Sequence, residues 1–178
     1  MKTAVFGGGC FWCTEAVFAM LKGVNRVEPG YAGGSIVNPS YERVSMGDSG
    51  HAEVIRVTYD PSLVSYEDLL TVFFGSHDPT TPNRQGNDVG EQYRSVIFYA
   101  DEEEKETADR IIKSVDESLI DGTRVVTQVI PLQEFFPAED YHKDYFKKNT
   151  SAPYCQLIIE PKVEKVRKRF AELVNPNA

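Results

Sequence analysis

The sequence predicts an α+β protein, a two-layer α/β sandwich around a mixed, mainly antiparallel sheet. Three observations carry this expectation. Strand-like and helix-like segments alternate irregularly and without internal repeat, which argues against a repeat array or a regular βαβ series. The first segments, Lys2 to Phe6, then Gly7-Gly8-Gly9, then a run with helical apolar spacing, read as strand, turn and helix. A length of 178 residues suits one domain with a substantial core, so residues 1–178 are expected to form a single domain.

Each element has its own signal. After the glycine turn, Cys13, Ala16, Val17, Met20 and Leu21 recur at i, i+3, i+4, i+7 and i+8, which predicts a helix to about Lys22 with Cys13 on its core-facing stripe. Val24 to Tyr31 reads as extended and ends at Ala32-Gly33-Gly34, before a polar loop with Asn38-Pro39-Ser40-Tyr41. His51 to Tyr59 is rich in β-branched residues. Its period of two places Glu53 on one face with Ile55, Val57 and Tyr59. Ser65 is a good N-cap with Asp68 three residues on, and Leu69, Leu70, Phe73 and Phe74 continue a helix to about Gly75. Pro79 to Gln92 is a long loop with two prolines, two glycines and two asparagines, expected to be ordered because a strand, Arg94 to Ala100, follows at once. Beyond it the pattern predicts a charged amphipathic helix (Asp101 to Leu119), a strand (Arg124 to Ile130), a tyrosine-rich helix (Glu139 to Lys148), a final strand (Cys155 to Ile159) and a helix (Lys162 to Leu173).

Composition excludes several roles. The net charge of −8 offers no general attraction to phosphate backbones or anionic membranes, so neither nucleic acid nor a membrane is expected as a partner. The basic cluster Lys165, Arg167, Lys168 and Arg169 reads as a solvated helix face. No stretch reaches the ~18 apolar residues of a membrane span, and the N-terminus meets glycine before a signal-peptide core can form. Three cysteines without disulfide-scaffold density point to a reducing, cytoplasmic location. His51, His77 and His142 are dispersed, and no zinc-ligand spacing accompanies the single Cys10–Cys13 step, so no metal site is expected.

The chemistry concentrates in Phe6 to Thr14, which holds two of the three cysteines and the only tryptophan. A cysteine after three glycines, at a helix start, lies where backbone is open to a ligand. Unpaired N–H groups and the helix dipole there favour the thiolate, the nucleophilic and redox-active form. Phe11 and Trp12 beside it can wall a small apolar pocket. Glu53, among valine and isoleucine, must either pair with a cation such as Arg56 or Arg94 or keep its proton and serve as a general acid; alternation alone leaves both open. Asp88 fits an Asx turn as readily as a site, and Tyr41 and Tyr93 carry no message singly.

Taken in order, Gly-Gly-Gly-Cys10-Phe11-Trp12, Asn38-Pro39-Ser40-Tyr41, Gly50-His51-Ala52-Glu53 and the run from Arg84 to Ser95 resemble the A-type peptide methionine sulfoxide reductases, over residues 3 to 170. The resemblance implies a ferredoxin-like core and reduction of (S)-methionine sulfoxide, free and in oxidised proteins. It implies Cys10 as nucleophile, Phe11 and Trp12 as the pocket for the substrate methyl, and Glu53 as the acid that protonates the sulfoxide oxygen. Tyr41, Asp88 and Tyr93 would line the polar side. A Cys10 sulfenic acid would be resolved by a second thiol and recycled by thioredoxin or a similar dithiol, with no bound cofactor. Many relatives have glycine where Cys13 stands and carry resolving cysteines in a glycine-rich tail. This chain has no such tail, which leaves Cys13 and Cys155, and the three-residue step from Cys10 favours Cys13. Two rival readings are a C-x-x-C thiol–disulfide oxidoreductase and a non-catalytic domain that binds methionine-like side chains.

Overall fold

A computed structural model describes residues 1–178. Its centre is a six-stranded sheet of β1 (Lys2–Gly7), β2 (Val24–Ala32), β3 (Ala52–Tyr59), β6 (Val96–Tyr99), β7 (Gln128–Pro131) and β8 (Phe135–Pro137), in the order β7-β6-β1-β3-β2-β8. Only β6 and β7 run parallel, so the sheet is mixed and mainly antiparallel. The helices are α1 (Phe11–Phe18), α2 (Tyr41–Ser45), α3 (Tyr66–Ser76), α4 (Glu102–Ser118), α5 (Tyr145–Lys148) and α6 (Glu160–Arg169). The inner order β6-β1-β3-β2, with α1 crossing from β1 to β2 and α3 following β3, is the split-βαβ arrangement of a ferredoxin-like core.

Alternation along the strands sorts the core. Phe6, Ile55, Val57 and Tyr59 face the helical layer and pack with Val17, Phe18, Leu70 and Phe73, whereas Val5, Ala32, Ala52, Val54, Val96 and Phe98 form a smaller cluster on the opposite face. Glu53 has the parity of Ile55 and Val57 and therefore enters the helical side, beneath α1. The expected capping box is present: Ser65 Oγ accepts from the Asp68 N–H at 3.0 Å, and Asp68 Oδ2 accepts from the Ser65 N–H at 2.9 Å. Ser65→Ala should cost about 1 kcal/mol in a denaturant melt, the usual loss for an exposed N-cap.

Several boundaries differ from the sequence expectation. Helix α1 stops at Phe18 rather than Lys22, where Leu21 turns into a bridge with Val174. Within Arg124 to Ile130 only the end is strand, because β7 pairs with β6 from Gln128 onward. The long loop is ordered and holds a hairpin of β4 (Arg84–Gln85) and β5 (Asp88–Val89), turned at Gly86 with φ +58°. The tyrosine-rich helix is broken into a 3₁₀ turn (Asp140–His142) and α5, separated by Asp144 in the left-handed region at φ 54°.

The largest correction concerns Cys155–Ile159, a π-helical turn and not a strand, continuous with α6. Cys155, Ile159, Val163, Val166 and Phe170 are buried while Leu157 and Ile158 are exposed, so the apolar spacing is helical across the whole segment. Pro161 lacks an N–H and crowds the preceding turn, and the wider π turn ahead of it absorbs that defect.

Candidate active site

Two glycines shape the approach to Cys10. A Cβ on Gly7 would stand 2.8 Å from Val96 Cγ1 and 3.0 Å from the Glu53 carbonyl oxygen, so only glycine lets β1 run this close to β3 at its exit. Gly9 has φ +95°, which turns the chain into α1. Cys10 is the N-cap of that helix, with φ −56° and ψ 126°, and its carbonyl accepts from the N–H groups of Cys13 and Thr14.

Glu53 lies under this turn, 1% exposed. Its Oε2 accepts the Phe11 N–H at 3.0 Å, the amide next after Cys10. No cation reaches it: Arg56 is bound to Glu28, and Arg94 donates to the carbonyls of Gly50 and Glu91. Burial, only partly offset by the Phe11 hydrogen bond, pushes its carboxyl up to about 8. Glu53 is thus a neutral acid at pH 7, with its second oxygen free to carry the proton.

The cysteines depart from the expectation that the helix start would ionise Cys10. Burial, a hydrogen bond to Cys13 and the nearby Glu53 hold the Cys10 thiol well above its ordinary value. Cys13 is lowered to about 7, chiefly because Cys10 hydrogen-bonds to it, with help from Lys162 and Tyr154. The dipole at the first turn of an eight-residue helix is smaller than the cost of desolvating a thiolate in a nearly closed turn.

Around the thiols, Tyr154 connects two of the expected residues: its hydroxyl donates to Asp88 Oδ2 at 2.9 Å and lies 3.7 Å from Cys13 Sγ. Asp88 also acts on Glu53 through its charge. Tyr41 and Tyr93 sit close enough for both Glu53 and Cys10 to raise them, Tyr41 to about 12, after burial, the main cause. Asp88 and Tyr154 border the thiols directly, whereas Tyr41 stacks against Phe11 and Trp12. A cleft of about 240 Å³ opens on both thiols, walled by Gln85, Asn87, Asp88, Tyr154, Ile158 and Lys162.

The two expected pocket aromatics have different places. Phe11 is fully buried and backs the site, its ring against Tyr31, Tyr41 and His142. Trp12 is half-buried; its indole N–H donates to His142 Nδ1 at 3.0 Å, and Tyr145 lies flat on it at 3.7 Å between centroids. Cys155, the second candidate resolver, is fully buried in the core cluster beside Tyr154; burial raises its thiol, and Cys13 raises it further.

Four contributors escaped the sequence reading. Tyr154 precedes the predicted strand Cys155 to Ile159 and carries no signal of its own, although the helical stripe from Cys155 to Phe170 could have placed it. Glu139, which accepts from the Tyr31 hydroxyl at 2.9 Å and the Tyr41 N–H at 3.0 Å, His142 and Tyr145 come from a segment far in sequence from Trp12, and no local pattern reports such a contact.

Comparison with known proteins agrees with this architecture. The family model described as peptide methionine sulfoxide reductase matches residues 2–174. A peptide methionine sulfoxide reductase MsrA of Sulfolobus acidocaldarius is 54% identical over 172 residues, 97% of each chain. The reduced form of Mxr1 from Saccharomyces cerevisiae superposes with a TM-score of 0.81 at 33% identity, covering 86% of this chain and 88% of that one. A structure of Mxr1 in complex with Trx2 shares the fold at 23% identity and a TM-score of 0.57, over 81% of this chain and 84% of that one. With a family model spanning nearly every residue and a relative more than half identical end to end, the chain belongs to the A-type peptide methionine sulfoxide reductases.

Proposed function

We propose that this reductase works through Cys10 as nucleophile, Glu53 as acid and Cys13 as resolving thiol. The observation that carries the reading is Glu53: an uncharged, buried carboxyl hydrogen-bonded to the amide beside Cys10. A sulfoxide oxygen leaves sulfur only when protonated, and a carboxylic acid held near pH 8 can supply that proton.

In this scheme the Cys10 thiol gives its proton to solvent and its sulfur attacks the substrate sulfur. Glu53 protonates the oxygen, the S–O bond to the substrate breaks, and the hydroxyl ends on Cys10 as a sulfenic acid with methionine released. Cys13 sulfur then attacks the sulfenic sulfur, and water departs with the Cys13 proton. The disulfide is reduced by an external dithiol, which becomes a disulfide in turn. The assembly of Mxr1 with Trx2 supports a thioredoxin in that role. Cys13 is preferred over Cys155 because it lies one helical step from Cys10 and opens on the same cleft, whereas Cys155 is fully buried in the core.

The Phe11–Trp12 aromatic wall with Tyr41 stacked on it, the Glu53 carboxyl next to Cys10, and the Asp88 side of the cleft distinguish three substituents of a chiral sulfur, so one epimer alone should react. Mixing reduced enzyme with excess (S)-methionine sulfoxide and no reductant should release about one methionine per chain and leave a Cys10–Cys13 disulfide in the peptide mass map. Cys13→Ser should keep that first release yet lose sustained turnover with thioredoxin. Equal consumption of the R epimer, or a Cys10–Cys155 linkage in the map, counts against the assignment.

A further inference from the structure

Glu15 is a charged residue in the buried part of α1, 4% exposed, and the scheme above leaves it without a role. It has no ion pair. Its Oε1 accepts the Asp144 N–H at 2.8 Å, and the Tyr145 N–H lies close enough to lower its carboxyl. Asp144 is the left-handed residue, φ 54° and ψ 34°, that breaks the expected helix. A non-glycine residue there is strained, and such a conformation persists only where its surroundings fix it. The amide that Glu15 holds is that of the strained residue, immediately before the first residue of α5. That first residue is Tyr145, stacked on Trp12 with an interplanar angle of 6°.

We infer that Glu15 is a positioning residue for the substrate pocket: it ties the Asp144–Tyr145 turn to α1 so that Tyr145 lies flat on Trp12. The path is short. Glu15 and Trp12 are one turn apart on α1, so helix, carboxylate, turn and tyrosine close a ring that fixes the indole plane. His142 holds the indole N–H from the same chain segment, and Glu15 secures that segment's far end. Burial raises the carboxyl to about 7, and its hydrogen bond to the Asp144 amide offsets part of that cost by satisfying a donor that would otherwise lack a partner.

The inference rests on Trp12 as a pocket wall, and Trp12 offers a readout independent of that reading because it is the only tryptophan in the chain. In Glu15→Ala, Trp12 emission should shift to the red and acrylamide quenching should rise. KM for (S)-methionine sulfoxide should increase ~10-fold while kcat at saturation stays within about threefold, the pattern of lost positioning without lost chemistry. Tyr145→Ala should reproduce both changes, Tyr145→Phe should retain the parent emission, and Glu15→Gln, which keeps one acceptor oxygen, should recover most of the KM. Glu15→Leu, which fills the volume without an acceptor, carries the test if the alanine variant does not fold. Parent-like emission in both Glu15→Ala and Glu15→Leu overturns the inference. If Trp12→Ala itself leaves KM unchanged, the pocket reading fails, and emission alone then decides whether Glu15 sets the stack.

Discussion

Glu53→Gln should slow single-turnover methionine formation by ~10²-fold or more, because glutamine retains the acceptor for the Phe11 N–H and has no proton to give. The parent rate should fall as pH rises through about 8, where Glu53 ionises, and the glutamine variant should lose that limb. Rapid quench from pH 5 to 9 reads both. A parent-like rate across that range would return Glu53 to a structural role.

The same substitution should stabilise the protein. Unfolded, Glu53 ionises near its ordinary 4.5; folded, near about 8. Below the lower value both states hold the proton and the residue contributes no slope. Between the two, only the unfolded chain releases it, so unfolding becomes easier as pH rises, and above the upper value the penalty is constant. The gain of Glu53→Gln in denaturant midpoint should therefore grow from pH 5 to 8. An acid that weakens the fold at the pH where it serves the reaction is the trade expected at a functional site.

Cys10→Ser should remove methionine formation altogether, by ~10⁴-fold or more, since the covalent pathway has no other electrophile-facing sulfur at the N-cap. Its fold should be unharmed or firmer. Serine is among the preferred N-cap residues, and Cys10 makes no side-chain capping bond, so the position carries cysteine at the expense of a better cap. A thermal melt alongside a methionine-release assay checks both halves. Residual turnover above a few per cent of the parent would place the nucleophile elsewhere.

How much of this was legible in the sequence depends on the range of the signal. Glu53 could be placed on the helical face because strand parity is strictly local, and the same alternation carried Ile55, Val57 and Tyr59 with it. Ser65 with Asp68 marked a helix start through contacts three residues apart. The Cys155 segment misled because Leu157, Ile158 and Ile159 have strand-like side chains; the deciding information was a stripe reaching as far as Phe170. The break at Asp144 was invisible, since the side chain that binds its N–H, Glu15, lies 129 residues away. The ionisation of Cys10 was misjudged for a related reason: a helix start is visible in sequence, and the degree of burial that opposes it is not.

That retained proton also bears on how the enzyme survives its surroundings. Oxidants attack thiolates far faster than thiols, so the burial that raises the Cys10 thiol also slows its attack by peroxides. Cys13, whose thiol is lowered to about 7, shares its cleft with Cys10. A sulfenic acid formed there by accident would close onto Cys10 and yield the same disulfide that the proposed turnover produces. Stray oxidation is in this way directed into a state the recycling dithiol already reverses, before either sulfur can reach the irreversible acids.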